Sequence, residues 1–329
     1  MNQAKNLNSV AHHFYCNVMT EPFFFLIDFE QQQPRVIPFA EAAEQGIYFN
    51  ILGINNIPSS FITPGKPLSL TAKPMAFSDY QQGFNLVQEQ IQRGNSYLLN
   101  LTYPTKIKTN YSLRDIFMLS EAPYKLYFQD RFVCFSPECF IRINNNKIYT
   151  YPMKGTIKAD VPNAREQLLS CKKELWEHNT IVDLLRNDLA MVATNIEVSR
   201  FRYAELIQTA RGAIWQTSSE ICGDLNENWR EDPISLLKTL LPAGSISGAP
   251  KEKTIAIIQQ AEQQPRGFYT GIFGYFDGEN LESAVIIRYI EQTEEGLQFR
   301  SGGGITWHSE VTSEYEELLA KVYIPINKR

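Results

Sequence analysis

Cysteine is sparse: five residues in 329 (Cys16, Cys134, Cys139, Cys171 and Cys222), odd in number, scattered and without a CxxC pair. That excludes a disulfide framework and a zinc knuckle, and suits reduced thiols. An excess of one charge is lacking too. Thirty-one Lys and Arg stand against thirty-six Asp and Glu, a formal net charge of −5, so no basic surplus marks a surface for nucleic acid. No apolar run approaches the roughly 20 residues of a membrane span. The N-terminus, MNQAKNLNSVAHHFYCNV, has no basic stretch followed by an apolar core and a small-residue cleavage site. A cytoplasmic chain without a membrane partner is the expectation. Repeats, low-complexity tracts and long polar linkers are missing as well, so the sequence reads as one continuous fold.

What is present is ample core material, with 43% of residues in the hydrophobic set. Residues 1–77 alternate short strand-like pieces, FFFLIDF (Phe23–Phe29) and GIYFNIL (Gly46–Leu52), with proline-rich loops. From residue 78 onward, Tyr80, Phe84, Val87 and Ile91 recur at helical spacing, with Asp79 as a cap and Gly94 as a stop. The strand SYLLNLTYPTKI follows, then three or four short antiparallel strands between Tyr127 and Met153. A long helical region is expected from about Asn163 to Ala193, a helix over Ala249–Gln263 and another at the C-terminus, with strands between them. Helices and mostly antiparallel strands together make an α+β protein.

Several local patterns could carry chemistry. Glu174 and Glu177, and again Glu314 and Glu317, are spaced i, i+3, which stacks two carboxylates on one helical face. Such a pair is either a solvated face or a set of hard oxygen ligands suited to magnesium. LPAGSISGAPKEKT runs a glycine-rich loop into a helix, with Pro250 at the first helical position and Ser247 or Gly248 at the cap. It is an ordinary capped helix or a place where free N–H groups meet a carboxylate; it is not a Walker loop. Gly302, Gly303 and Gly304 form a tight turn or admit a ligand. Arg288, inside the strand AVIIRYI, needs a carboxylate, from the protein or from a ligand. Lys154 follows a strand in KIYTYPMKGT and is either solvated or a nucleophile, which requires its pKa to be lowered by burial or a nearby cation. Glu138, in FSPECFIRI, is a loop carboxylate or a proton donor.

Taken in order and spacing, YLLNLT, SPECF, PMKGT, ELWEHNTIVDLLRNDL, AGSISGAPK, RGFYTGIFGYF, IIR and GGGITWHSEVTSEYEELLAK resemble the chorismate-utilising enzymes. That family includes anthranilate synthase component I, aminodeoxychorismate synthase component I, and the isochorismate and salicylate synthases. The match runs from about Ser78 to Val322, within a chorismate-binding catalytic region at 78–329; residues 1–77 would pack into the same fold. The resemblance implies a single α/β sandwich of two antiparallel sheets flanked by helices. It implies that Glu174, Glu177, Glu314 and Glu317 hold Mg2+, which bridges to one chorismate carboxylate. The other carboxylate would meet Tyr269, Arg288 and the Gly302–Gly304 backbone, with Gly155, Thr156, Ser247, Gly248 and Lys321 completing the pocket.

Within the family, position 154 discriminates. Anthranilate synthases resemble PIAGT there and aminodeoxychorismate synthases PIKGT; this chain has PMKGT. The likeness to the second group implies that Lys154 attacks ring carbon 2 as the carbon-4 hydroxyl departs, that Glu138 protonates that hydroxyl, and that ammonia then enters at carbon 4 and expels the lysine. The water-activating lysine of isochorismate and salicylate synthases aligns with Leu98. A histidine common among the relatives is replaced by Glu205, and the downstream RGAIW is a loose match. A glutaminase would need a nucleophilic cysteine on a sharp glycine-flanked turn with a histidine base. No cysteine here fits, so a separate glutamine amidotransferase subunit, or free ammonia, is the expected nitrogen source. Anthranilate synthesis and a catalytically silent chorismate-binding subunit are the rival readings.

Overall fold

The computed structural model describes residues 21–326 apart from positions 64, 66, 210 and 211; Cys16 and the N-terminal stretch discussed above lie outside the described residues. In chain order the strands are β1 (Phe23–Ile27), β2 (Arg35–Pro38), β3 (Ile47–Ile51), β4 (Ile54–Asn55), β5 (Leu70–Lys73), β6 (Leu98–Thr109), β7 (Tyr124–Phe128), β8 (Phe132–Ser136), β9 (Cys139–Asn144), β10 (Lys147–Thr150) and β11 (Met153–Lys158). They continue with β12 (Thr194–Thr209), β13 (Gly212–Asp224), β14 (Gly248–Ala249), β15 (Ile272–Phe276), β16 (Leu281–Val285), β17 (Tyr289–Thr293) and β18 (Gly296–Thr306).

These strands form two sheets whose pairs are antiparallel. One has the order β11-β13-β10-β9-β16-β15-β1-β2, with β12 on β13, and the other the order β14-β6-β18-β17-β8-β7-β3-β4, with β5 on β6. Strand β1 shows why they stack. All five of its residues are buried, and alternate side chains feed different cores: Phe23, Phe25 and Ile27 face a layer containing the helices Lys172–Leu189 and Pro233–Leu240, while Phe24 and Leu26 face the second sheet. A strand covered on both faces reads as a continuous apolar run because neither face is free to be polar. The second sheet is covered outside by the helices Phe77–Gln92, Lys251–Glu262 and Val311–Ala320 over β6 and β18, and by the helix Leu113–Leu119. The architecture is therefore a sandwich of two antiparallel sheets between helical layers.

Several expected boundaries shift for local reasons. The long helical region is two helices, Ala164–Ser170 and Lys172–Leu189, broken where Cys171 is extended. Asp79 lies in the first turn of its helix, whose N-cap is Ala76. Pro250 is the N-cap of Lys251–Glu262 rather than its first residue, because Gly248 and Ala249 are taken up pairing with Leu99 and Leu98. Among the described residues no helix is long and apolar enough to cross a membrane.

Candidate active site

A cleft of about 970 Å³ opens where the chain passes between the two sheets. Strand β8 of the second sheet leads through Pro137 and Glu138 into β9 of the first, and β16 of the first leads through residues 286–288 into β17 of the second. The two crossings lie side by side: Val285 N–H donates to Glu138 O and Phe135 N–H to Arg288 O, both at 3.1 Å. Arg288 is thus not inside a strand, as its apolar flanks suggested, but at a left-handed break between strands, with φ of 52°. The break turns its guanidinium into the cleft, where among the described residues no ion pair to a carboxylate holds it; its charge favours ionised Glu138.

Glu138 accepts a hydrogen bond from Ser245 Oγ at 2.7 Å. Burial pushes its carboxyl above the ordinary range, against the opposing pull of Ser245, Arg288 and Lys321. A carboxyl pushed up by burial beside cationic groups is a candidate proton donor. Ser245 was missed by sequence reasoning, which favoured Ser247. A single helical turn, Gly244–Ser247, separates their roles: Ser245 faces the cleft, while Ser247 is fully buried and donates back to Ala243 O at 2.9 Å. A turn this short has no periodicity that would reveal its orientation.

Lys154 occupies the facing wall, on an irregular stretch of β11 where the register with β13 shifts between Met153 and Thr156. Gly155 takes φ of 85° there, and Thr156 also borders the cleft. Lys154 Nζ lies 2.9 Å from Glu177 Oε2. Burial lowers its pKa, but Glu177, Glu317 and Glu174 outweigh burial and hold it above the ordinary lysine value. Glu314 feels the same ammonium. The two acidic pairs, on helices Lys172–Leu189 and Val311–Ala320, are thereby gathered around one amine.

Glycines allow the approach. A Cβ at Gly155 would come 2.7 Å from Glu174 Oε2, and one at Gly303 would come 3.1 Å from Glu314 Oε2 and 3.5 Å from Glu317 Oε1. The Gly302–Gly304 triplet lies within β18, paired with Thr102, Leu101 and Asn100, rather than in a turn after a strand. Lys321, just past the terminal helix, donates to Gly302 O at 2.6 Å and lies 2.6 Å from Glu317 Oε1. Tyr269 borders the cleft, and burial pushes its phenol up to about 12, so it stays protonated. Gly248 and Leu98 also line it; Leu98 is an apolar side chain on that wall. Glu205 is exposed on β12 opposite Gln216, a residue of the cleft wall.

Among the described residues no three His, Cys, Asp or Glu side chains already form a metal cage. The donor set nonetheless suits magnesium. That ion takes one or two protein carboxylates, several waters and an anionic ligand rather than a closed protein shell; one carboxylate of each pair, Glu177 and Glu317, borders the cleft, and Glu174 and Glu314 are not among its lining residues.

The fold and cleft are those of an α/β enzyme whose polar groups meet at the seam between two antiparallel sheets. A family model described as chorismate binding enzyme matches residues 28–327. An uncharacterized PabA-like protein of Pasteurella multocida is 63% identical over 306 residues, covering 93% of this chain and 94% of that protein. Aminodeoxychorismate synthase component 1 of Salmonella typhimurium is 27% identical over 315 residues, covering 90% of this chain and 66% of that protein. The menaquinone-specific isochorismate synthase MenF of Escherichia coli superimposes with a TM-score of 0.74 at 18% identity, over 94% of this chain and 80% of that one, a likeness of fold alone. The chain belongs to the chorismate binding enzyme family and is a chorismate-utilising enzyme.

Proposed function

We propose that this chain is aminodeoxychorismate synthase component I, converting chorismate and ammonia to 4-amino-4-deoxychorismate and water on the route to para-aminobenzoate and folate. One observation carries the reading: the Lys154 amine reaches into the cleft among the acidic pairs, while Glu138 with its raised pKa stands in the same cleft. An amine and an acid facing one bound ring divide a hard displacement into two easier ones.

In the first step Lys154, deprotonated, forms a bond to ring carbon 2; the ring double-bond electrons shift and the carbon 4–oxygen bond breaks. The electron pair leaves with the oxygen, Glu138 supplies the proton, and water departs. In the second, ammonia bonds to carbon 4, the electrons shift back and the lysine amine is released. Arg288, Tyr269 and the glycine strand hold one substrate carboxylate, and Lys321 helps to offset its charge. Glu174, Glu177, Glu314 and Glu317 would hold Mg2+. When bound, the ion takes up carboxylate charge that otherwise keeps Lys154 protonated and supplies a contact for the other substrate carboxylate. Leu98 on the cleft wall offers no base to activate water, which supports amination over hydration. Ammonia comes from a glutamine amidotransferase partner.

The test is product identification by mass spectrometry after incubation with chorismate, magnesium and ammonium. 4-Amino-4-deoxychorismate is expected; anthranilate or isochorismate as the main product would overturn the assignment. Without ammonia, the intact protein should gain the mass of chorismate less water, and Lys154→Ala should not. An adduct persisting in that variant would remove Lys154 as nucleophile.

A further inference from the structure

The turn Gly244–Ser247, which delivers Ser245 to Glu138, has no side-chain cap and is too short to be stable alone. A pair outside the cleft holds it. Asp188, near the C-terminal end of the helix Lys172–Leu189, lies 2.9 Å from Lys251 Nζ. A Cβ at Gly244 would come 2.5 Å from Asp188 Oδ2; burial pushes the Asp188 carboxyl above its ordinary range, and Lys251 and the Gly244 N–H pull the other way, toward the ionised form. Lys251 opens the helix after the turn and donates at 2.7 Å to Leu240 O, at the end of the helix before it. Its ammonium therefore ties both ends of the segment, while Asp188 packs against the start of the turn. Neither residue borders the cleft.

We infer that the Asp188–Lys251 pair is a positioning device, fixing the turn so that Ser245 holds Glu138 in place and locking that turn to the helix that carries Glu174 and Glu177. The assignment rests on the reading of Glu138 as the proton donor. Two elements far apart in sequence, one with an acidic pair and one buttressing the acid, are joined by a contact that touches no substrate. A buried pair of this kind is a poor source of net stability and a good source of geometry.

The consequence is measurable in the pH profile. The charged groups facing Glu138 are Arg288 and Lys321, and with Ser245 they favour its ionised form. Loss of the Ser245 hydrogen bond leaves the carboxyl protonated to higher pH, so the alkaline limb of kcat should move upward, by about 0.5–1 on the pH scale for one hydrogen bond.

The test compares Ser245→Ala, Asp188→Asn, Lys251→Met and the double variant Asp188→Asn/Lys251→Met, in chorismate turnover with ammonium and magnesium. The double variant leaves no unpaired buried charge and keeps the test open if a single variant fails to fold. Each should lower kcat by about tenfold with KM within about threefold and move the alkaline limb upward, while Lys251→Arg restores both. Added to Ser245→Ala, the pair's substitutions should move the limb no further, because all act through one hydrogen bond. A limb moved by Ser245→Ala but not by the pair's folded variants, or shifts that add, would overturn the positioning role alone. A limb unmoved by Ser245→Ala would remove Glu138 as the titrating acid, and this proposal with it.

Discussion

Two lysines face the same cleft, each against a carboxylate, yet they lie on opposite sides of their ordinary pKa. Lys154 is 2.9 Å from Glu177 and is pushed up; Lys321 is 2.6 Å from Glu317 and is pushed down. Burial lowers both. On the Lys154 wall burial is outweighed by three carboxylates, whereas at Lys321 it is reinforced by Arg288 and Lys154 against Glu317 alone. The nearest contact therefore does not fix the charge state; the full set of neighbours does. In the proposed mechanism the first wall holds a cation and the second receives an anion, with Glu138 as the acid set into the second.

The largest effect should come from breaking that asymmetry at Glu138. Glu138→Gln keeps the shape and removes the proton, so kcat should fall by about 10³-fold and lose its alkaline limb. The sign follows from the raised pKa: the acid is competent below it, and activity falls as pH rises through it. A folded variant with near-native turnover would place the proton donor elsewhere. Next come the proposed magnesium ligands of the acidic wall. Glu177→Gln or Glu317→Gln should weaken magnesium by about 10–100-fold in a titration of turnover, a loss typical of damaged metal sites. Lys321→Met should do the reverse, tightening magnesium a few-fold by relieving Glu317 of its ammonium while weakening chorismate. Magnesium affinity unchanged in all three would mean that the carboxylates answer only to Lys154.

A third titrating group lies beside the acidic wall but outside it. His178 follows Glu177 in sequence yet is fully buried, its Nε2 2.6 Å from Ser219 Oγ. Burial, with help from Arg202, lowers its pKa to about 4. Because the folded value lies below the unfolded one of about 6.5, its contribution is complete above about 6.5 and is lost as pH falls toward 4. Denaturant titrations across that window should show a loss of roughly 2–3 kcal/mol, absent in a folded His178→Gln variant. A flat profile would mean that the imidazole charges without cost.

Much of this was legible in the sequence where a motif sits on one regular element. The acidic pairs needed only helical spacing, and the β1 run declared a buried strand. What escaped lies where the chain changes direction. AVIIRYI is apolar on both sides of Arg288 and reads as one strand, but it is two strands in different sheets, and the break at Arg288 is set by long-range pairing with β8 and β9. Ser245 and Ser247 are equivalent in composition; only the packing of Gly244 against Asp188 and Leu184 decides which one faces the cleft. The gathering of the four glutamates around Lys154 depends on two helices about 140 residues apart in the chain, a separation that local pattern cannot bridge.

The smallest effect sharpens the comparison most finely, because it contrasts two adjacent glycines of β18. A methyl group at Gly302 would meet the backbone, with Leu101 O at 2.3 Å and Thr102 Cα at 2.8 Å, whereas at Gly303 it would meet the ends of Glu314 and Glu317 at 3.1 and 3.5 Å. Backbone in a paired strand cannot retreat without breaking its ladder, but a carboxylate can give a few tenths of an ångström. Gly302→Ala should therefore lower the melting temperature, at a cost of about 1–3 kcal/mol for overpacking. Gly303→Ala should melt near the parent and weaken magnesium by about three- to tenfold, because a ligand pair moved slightly is a poorer ligand pair. If Gly303→Ala instead destabilised the fold and left magnesium untouched, the acidic pair on the terminal helix would be a packing feature of β18 rather than half of a cation site.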